Sequence, residues 1–561
     1  MPKISSKLAV FTAILTLFSG SFSQAQTASG SYLAALHAQQ SMDFRRAAEA
    51  YSEAIFFDPD YLPFKHGAVT AYMALGDFDR AADIARELLE TDTSDPALYM
   101  AIVGDAGAEG NYEEITEVFA IPGQQLDQLS DGLIGAWALL GAGNSAKAMD
   151  EFDRISRING LGAFGVFHKA LALAWVGDFE QSENLMASEE LAVAQTLRLT
   201  LARAQVLSQL ERNDEALQLM ESVYGTSPDG EPMRMINALR DGKTLTFDLI
   251  LSPSEGMSEV FYTLVDALSG EQEEDIFNLF YARLAEQLRP NHADALMLSA
   301  EILERLGLYD LSAETYSRVP KNSNRYFGAA IGIAETMREQ GRFDASVAYL
   351  QDLSKDYGDR PILHITLGDH LRQMKNYKDA AEAYSQGIAL LEETGSLNWY
   401  SYYVRGITYE RLDEWDKSEA DFRRSLELRP GQPQVLNYLG YSLVERREKL
   451  DEALSMIEQA VAERPDNGYI VDSLGWVLYR LGRYDEAVAP MELAAELMAT
   501  DPIVNDHLGD VYWMVGRYLE AEFQWRRALS FDPEPEEADR IRRKLQVGLD
   551  QVLEEEREGG E

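Results

Sequence analysis

One position held by a small residue recurs along this chain with a fixed period. The place of Ala47 is filled again at Ala81, Ile115, Ala148, Ser182 and Ala216, at intervals of 34, 34, 33, 34 and 34 residues. A period of that length limits the chain to an array of short helix-turn-helix units, each stabilised by stacking on its neighbours. Three residues before the slot stands an aromatic (Phe44, Phe78, Tyr112, Phe179), and five before it, in most of these units, a Gly (Gly76, Gly110, Gly177). The Gly ends a first helix and the aromatic opens a second. Four residues after the slot comes a bulky apolar residue (Tyr51, Phe119, Phe152, Met220), and Pro59 closes the first unit. The frame returns at Ser312, Ser346, Ala380, Ser418, Ala453, Ala487 and Ala521, with Gly307, Gly341, Gly482 and Gly516 and the aromatics Tyr309, Phe343, Tyr377, Trp415, Tyr484 and Tyr518. A weaker unit centred near Asn278 and ending at Pro290 makes fourteen. A small side chain at the slot lets the second helix approach the first, and the large residue one turn later fills the gap between units.

These motifs resemble the tetratricopeptide repeat (TPR) family. The resemblance implies an all-α superhelical solenoid of about fourteen helix-turn-helix repeats and a role in binding other proteins or peptides.

The frame breaks once. From Ala216 to Asn278 is 62 residues, one period of 34 and 28 more, which places an insertion at 225–257. Turn residues Pro228-Asp229-Gly230 and Asp241-Gly242 precede Leu245, Phe247, Leu249 and Leu251, which alternate with Thr246, Asp248 and Ile250. Alternation predicts one extended strand. It would serve as a clip between two sub-arrays or as an edge for a partner peptide. The expected organisation is a leader at 1–25, a first array of about six repeats at 26–224, the insertion at 225–257 and a second array of about eight repeats at 258–535. A capping helix (Ala538, Ile541, Leu545, Leu549 and Val552 at helical spacing) and a disordered acidic tail from about Glu554 complete it at 536–561.

The leader carries Lys3 and Lys7, an apolar run from Leu8 to Phe18 and a small-x-small end at Ser23-Gln24-Ala25, the pattern of a secretory signal peptide cut after Ala25. That run is too short for a hydrocarbon core that takes roughly 20 residues, and no later stretch qualifies as a transmembrane segment. An exported, periplasmic protein is expected, with peripheral association at the outer membrane left open. Fifty Lys and Arg against 94 Asp and Glu give a formal charge of −44. Such a charge argues against nucleic acid or an anionic membrane as partner; it keeps a long, surface-rich solenoid soluble, or attracts a basic partner. With no Cys, the chain has no disulfide, no thiolate chemistry and no lipid-accepting Cys.

No catalytic constellation, metal site or cofactor motif emerges. The seven His are scattered, His364 and His370 lie six apart rather than on one helical face, and Gly242-Lys243-Thr244 lacks the Gly of a phosphate loop five residues earlier, where Asn237 stands. No Gly-x-Ser-x-Gly elbow occurs. No enzyme is expected.

In the TPR family the first helix of each unit lines the concave groove. Mapped onto the last three units, the resemblance implies a partner-binding wall of Asn437, Tyr441 and Val444, then Tyr469, Asp472, Trp476, Tyr479 and Arg480, then Asp506, Asp510, Trp513 and Met514. Tyr441, Trp476 and Trp513 would form a continuous aromatic strip, with ordinary inter-helix packing as the competing reading for each ring. Earlier units present a charged lining of Glu301, Glu304, Arg305, Glu335, Arg338, Asp369, Arg372, Glu410 and Arg411. The stretches Leu436-Asn-Tyr-Leu-Gly-Tyr441, Asp472-Ser-Leu-Gly-Trp476 and Asp506-His-Leu-Gly-Asp510, with Tyr512, Trp513 and Trp525, are similar to proteobacterial envelope TPR proteins. One type is a lipoprotein adaptor that hands peptidoglycan hydrolases to a carboxy-terminal processing protease; this chain lacks its lipidated Cys. The implied function is a non-enzymatic scaffold or adaptor of the cell envelope, with a periplasmic protease and its substrates as partners. The alternative is a structural component of a secretion or exopolysaccharide assembly.

Overall fold

The computed structural model describes residues 28–91, 94–121, 126–192, 196–225, 230–268 and 275–559. The expected leader lies outside them. The described residues hold 32 helices and no strand, and they fall into two compact units, 1–341 and 342–561.

The first unit runs α1 (Ala28–Gln40), α2 (Phe44–Phe57), α3 (Leu62–Leu75), α4 (Phe78–Leu89), α5 (Pro96–Glu109), α6 (Tyr112–Phe119), α7 (Gln128–Gly141), α8 (Ser145–Ser156), α9 (Gly162–Trp175), α10 (Phe179–Met186), α11 (Glu189–Ala192), α12 (Leu197–Gln209) and α13 (Asn213–Tyr224). It continues through α14 (Gly230–Arg240), α15 (Pro253–Leu268), α16 (Asp275–Leu288), α17 (Ala293–Arg305), α18 (Tyr309–Ser317) and α19 (Tyr326–Glu339). The second holds α20 (Phe343–Tyr357), α21 (Pro361–Gln373), α22 (Tyr377–Thr394), α23 (Trp399–Arg411), α24 (Trp415–Leu428), α25 (Pro433–Glu445), α26 (Leu450–Glu463), α27 (Gly468–Arg480), α28 (Tyr484–Leu497), α29 (Pro502–Met514), α30 (Tyr518–Leu529), α31 (Pro535–Val547) and α32 (Leu549–Gly559).

The repeat slot is set by packing. All fourteen slot residues, from Ala47 to Ala521 and including Asn278, are 0–1% exposed. Serine fits there because its hydroxyl has a local acceptor: Ser182, Ser312 and Ser418 donate to the carbonyls of Ala170, Ala300 and Gly406 on the preceding helix, at 2.8, 2.9 and 2.8 Å. Five residues before the slot the backbone is left-handed in unit after unit. Gly holds that position at Gly76, Gly110, Gly143, Gly177, Gly307, Gly341, Gly482 and Gly516, and Met42, Glu211, Lys375 and Asp413 adopt it without Gly.

The insertion departs from expectation. It begins with a helix, α14, because Met235, Ile236 and Leu239 share a face that buries against α12 and α13. The stretch after it is extended, and Leu245, Phe247 and Leu249 are buried while Thr246 and Asp248 are exposed; the alternation stops there, because Ile250 is buried and Leu251 is 60% exposed, the reverse of the expected order. Among the described residues it pairs with no strand. Side chains of α12 meet its backbone instead: Leu245 N–H donates to Ser208 Oγ at 2.8 Å, Gln209 Nε2 donates to the Leu245 carbonyl, and Asp248 N–H donates to Gln205 Oε1 at 3.2 Å. Arg289 Nη1 donates to the Leu249 carbonyl at 2.6 Å.

After this stretch the chain turns back on itself. Helix α15 packs on α5, α7 and α9, and α16 on α3 and α5. These partners are the first helices of their units, so the hairpin lies across the row that would otherwise line the groove of the first array. Met257, Val260, Phe261 and Leu284 are wholly buried there. Gly256 lies against Trp137, where an added Cβ would come within 2.3 Å of the indole. Arg283 Nε donates to the Ala74 carbonyl at 3.2 Å, near the negative end of α3. One continuous apolar core therefore joins residues from Ala35 to Leu311. For that reason the chain divides at Gly341 and Arg342, and not at 225–257.

At the end of the second unit, the acidic tail expected from Glu554 is helical. Leu549 and Val552 of α32 are buried, and Glu555 and Glu556 pair with Arg543 and Arg540 of α31 at 2.6 and 2.7 Å.

Candidate functional site

In the second unit the first helices α21, α23, α25, α27 and α29 each carry a Gly beneath a bulky residue of the following helix: Gly368 under Tyr384, Gly406 under Phe422, Gly440 under Ile457, Gly475 under Met491 and Gly509 under Trp525. These glycines fix a common register. One residue further on stand Asp369, Ile407, Tyr441, Trp476 and Asp510. The register partner of Tyr441 and Trp476 in α29 is thus Asp510, and Trp513 lies one turn beyond.

Most of the expected wall is committed to contacts between neighbouring repeats. Trp476 is 7% exposed and stacks between Tyr479 at 4.8 Å and His507 at 3.9 Å, ring centre to ring centre, while its Nε1 donates to Glu445 Oε1 at 2.6 Å. Asp472 is buried against His507 Nδ1 at 3.0 Å. Burial opposes a charge on His507, but the facing carboxylates of Asp472, Asp506 and Asp510 outweigh it and hold the imidazole above its ordinary range. The buried Lys544 of α31 donates to Asp506 Oδ2 at 2.7 Å and to Asp510 Oδ1 at 2.5 Å. Arg540 reaches Asp510 at 3.4 Å, and Trp525 Nε1 donates to the same carboxylate at 2.9 Å. Trp513 packs on Trp525 at 5.3 Å and donates its Nε1 to Asp550 Oδ2 at 3.0 Å. Tyr479 and Val444 are buried; Asn437, Tyr441, Arg480 and Met514 are half-buried. The aromatic strip is therefore not continuous, because Asp510 interrupts it and the C-terminal hairpin covers Trp513.

The Oδ1 atom of Asn437 is buried with no hydrogen-bond partner among the described residues. Tyr469 alone of the expected wall is widely open, at 62% exposure. It stands six residues before its glycine, and the same register holds Ile362 in α21, Tyr400 in α23 and Ile503 in α29, all exposed; α25 carries Gln434 there. This row of apolar side chains escaped the sequence reading, although a count of one register position along successive repeats finds it. The charged lining is locally paired: Arg338 with Glu335 at 2.7 Å, Arg372 with Asp369 at 3.5 Å and Arg411 with Glu410 at 3.6 Å. Among the described residues no cluster of His, Asp or Glu could hold a metal ion, and no helix is long and apolar enough to cross a membrane.

Tetratricopeptide repeat family models match residues 38–102, 280–326, 332–393, 365–433 and 439–502. A TPR repeat-containing protein of Pseudomonas aeruginosa is 27% identical over 161 residues, 28% of this chain and 27% of that protein, so the match spans about a quarter of the relative's length. Among solved structures, the APC/C hetero-tetramer Cut9-Hcn1 is 14% identical over 97% of this chain and 99% of that chain, with a TM-score of 0.39. Yeast Tom70 is 14% identical over 93% and 96%, with a TM-score of 0.34. A tetratricopeptide repeat protein from Parabacteroides merdae is 15% identical over 46% and 98%, with a TM-score of 0.37. The recurring slot, the left-handed turn before it and these family matches together establish that the chain is a tetratricopeptide repeat protein.

Proposed function

We propose that the chain is a non-enzymatic scaffold or adaptor of the bacterial cell envelope, which presents cell-wall hydrolases to a periplasmic protease and binds partners along the first helices of its second unit. The observation that carries this reading is the exposed row Ile362, Tyr400, Tyr469 and Ile503. An apolar side chain in four of five successive repeats, with Gln434 in the gap between Tyr400 and Tyr469, suits an extended segment laid along the row, with neighbouring helices about 8 to 10 Å apart. The charge of −44 favours a partner that brings basic groups. The sequence likeness of residues 436–525 to envelope TPR proteins supports the location and the protease.

The test is affinity capture from periplasmic extract with the wild-type chain and with a Tyr400→Ala, Tyr469→Ala double variant, whose side chains are open enough to leave the fold intact. The expected result is a protease and cell-wall hydrolases held by the wild type and lost with the variant. Capture by both chains alike moves the binding face elsewhere, and an intact Met1 on the protein from cells removes it from the periplasm.

A further inference from the structure

In a chain with 50 Lys and Arg against 94 Asp and Glu, four arginines gather in one cleft of the first unit. The cleft, about 520 Å³ in volume, lies where α16 and α18 come back against α2, α3 and α4. Arg45 and Arg80 stand exposed at its rim, and Arg283 and Arg318 line it from the returning side. The rim pair is neutralised on the spot: Arg45 reaches across to Glu314, and Arg80 Nε lies 3.4 Å from Asp77.

The inner pair is not. Arg283 Nη1 and Arg318 Nη1 share a single carboxylate, that of the buried Glu286, at 3.1 and 2.6 Å. The end of α3, where Arg283 Nε meets the Ala74 carbonyl, adds about half a negative charge, so positive charge is left over. Donors are left over too. Arg283 is 3% exposed, its Nη1 also donates to Thr315 Oγ1 at 3.1 Å, and its Nη2 has no hydrogen-bond partner among the described residues. Arg318 is open, and its Nε and Nη2 are free in the same sense. A guanidinium N–H this deep is stabilised by an oxygen brought to it, and a carboxylate matches the planar fork. Glu49, the remaining carboxylate of the lining, is exposed and forms no ion pair with either arginine, so it opposes a second negative charge on whatever binds. Beside the arginines, Leu75 and Leu311 supply an apolar wall.

We propose that this cleft binds a small organic monocarboxylate, its head held by Arg283 and Arg318 and its apolar body laid against Leu75 and Leu311. The volume falls within the range of about 300 to 1,000 Å³ that small-molecule sites occupy. The overall charge of −44 does not prevent it: at about 0.1 M salt the screening length is about 10 Å, which damps the distant carboxylates and leaves contact with two guanidiniums.

The test titrates the full chain, in about 0.1 M salt, with 3-phenylpropionate and with its neutral amide, followed by saturation-transfer NMR of the ligand. The acid should bind with a Kd of about 1 to 5 mM, as suits a probe of this size, and the amide at least about tenfold more weakly. Arg318→Gln, at an open side chain, should weaken the acid at least about tenfold and leave the amide unchanged. Arg526→Gln, at an exposed arginine of α30, serves as control and should change neither. An acid that fails to bind the wild-type chain at about ten times the expected Kd overturns the proposal, as does an amide that binds equally well. So does an acid affinity that survives Arg318→Gln or falls as far with Arg526→Gln. The comparison of acid with amide is made on the unaltered chain, so it decides the matter even where Arg318→Gln lowers the melting temperature.

Discussion

Trp476 shows at the scale of one residue how a groove position becomes a packing position. Its ring is stacked on both faces and its N–H is satisfied by Glu445, so Trp476→Ala should destabilise the second unit by about 3 to 5 kcal/mol. Urea unfolding followed by circular dichroism checks this; an unchanged midpoint would return Trp476 to the groove. His168 offers a test by pH. It is buried, its Nδ1 accepts from Trp137 Nε1 at 3.2 Å, and burial pushes its pKa down to about 4. Between that value and the ordinary 6.5 the unfolded imidazole binds a proton and the folded one does not, so its contribution rises with pH and is lost as pH falls below 6.5. At pH 5 the loss is about 2 kcal/mol. The fall in first-unit stability from pH 7 to 5 should therefore be smaller by that amount in His168→Gln. Slopes must be compared rather than single values, because Glu304, pushed up to about 7 by burial, titrates with the opposite sign: its contribution is lost as pH rises from 4.5 to 7. The slots were legible in the sequence because local packing alone dictates them. The fate of the groove residues was not, since their partners stand about one period away: Asp472 with His507, Asp510 with Lys544, Glu445 with Trp476.

Helices and turns divide in the same way. The Gly before each second helix was readable as a left-handed turn, yet Lys375 adopts that conformation at φ 59° and Gly482 at φ 75°. Gly482→Ala should cost about 1 to 2 kcal/mol, whereas Lys375→Ala should be nearly neutral because the strain is already present in the wild type. Paired thermal melts decide the matter, and equal effects would show that the turn backbone relaxes. The insertion was half legible. Alternation revealed which side chains of 245–249 point inward, but no local pattern could tell that α12 side chains, rather than a second strand, would satisfy the backbone. Nor could it show the return of α15. Gly256→Ala tests that return, since a Cβ there meets Trp137, an indole 119 positions earlier in the chain, and overpacking of this kind costs about 1 to 3 kcal/mol. A neutral substitution would mean that α15 does not rest on α7.

For the whole molecule, periodicity revealed a linear array and the contacts reveal two bodies with separate cores. Because repeat stability is mostly nearest-neighbour, Gly256→Ala should lower only the transition of the first body and Trp476→Ala only that of the second. Calorimetry of the two single variants and the double variant reads this as additive shifts; a single shared transition moved by either change would show that the bodies unfold as one. The returning hairpin also sets an order of events during synthesis. A plain repeat array can consolidate as each unit leaves the ribosome, but here the inner row from α3 to α9 waits for side chains that begin at Pro253. Until they emerge, the nascent chain exposes a furrow of Ala, Leu and Trp side chains, and it is in that interval, before the hairpin arrives, that a holding chaperone would find its substrate.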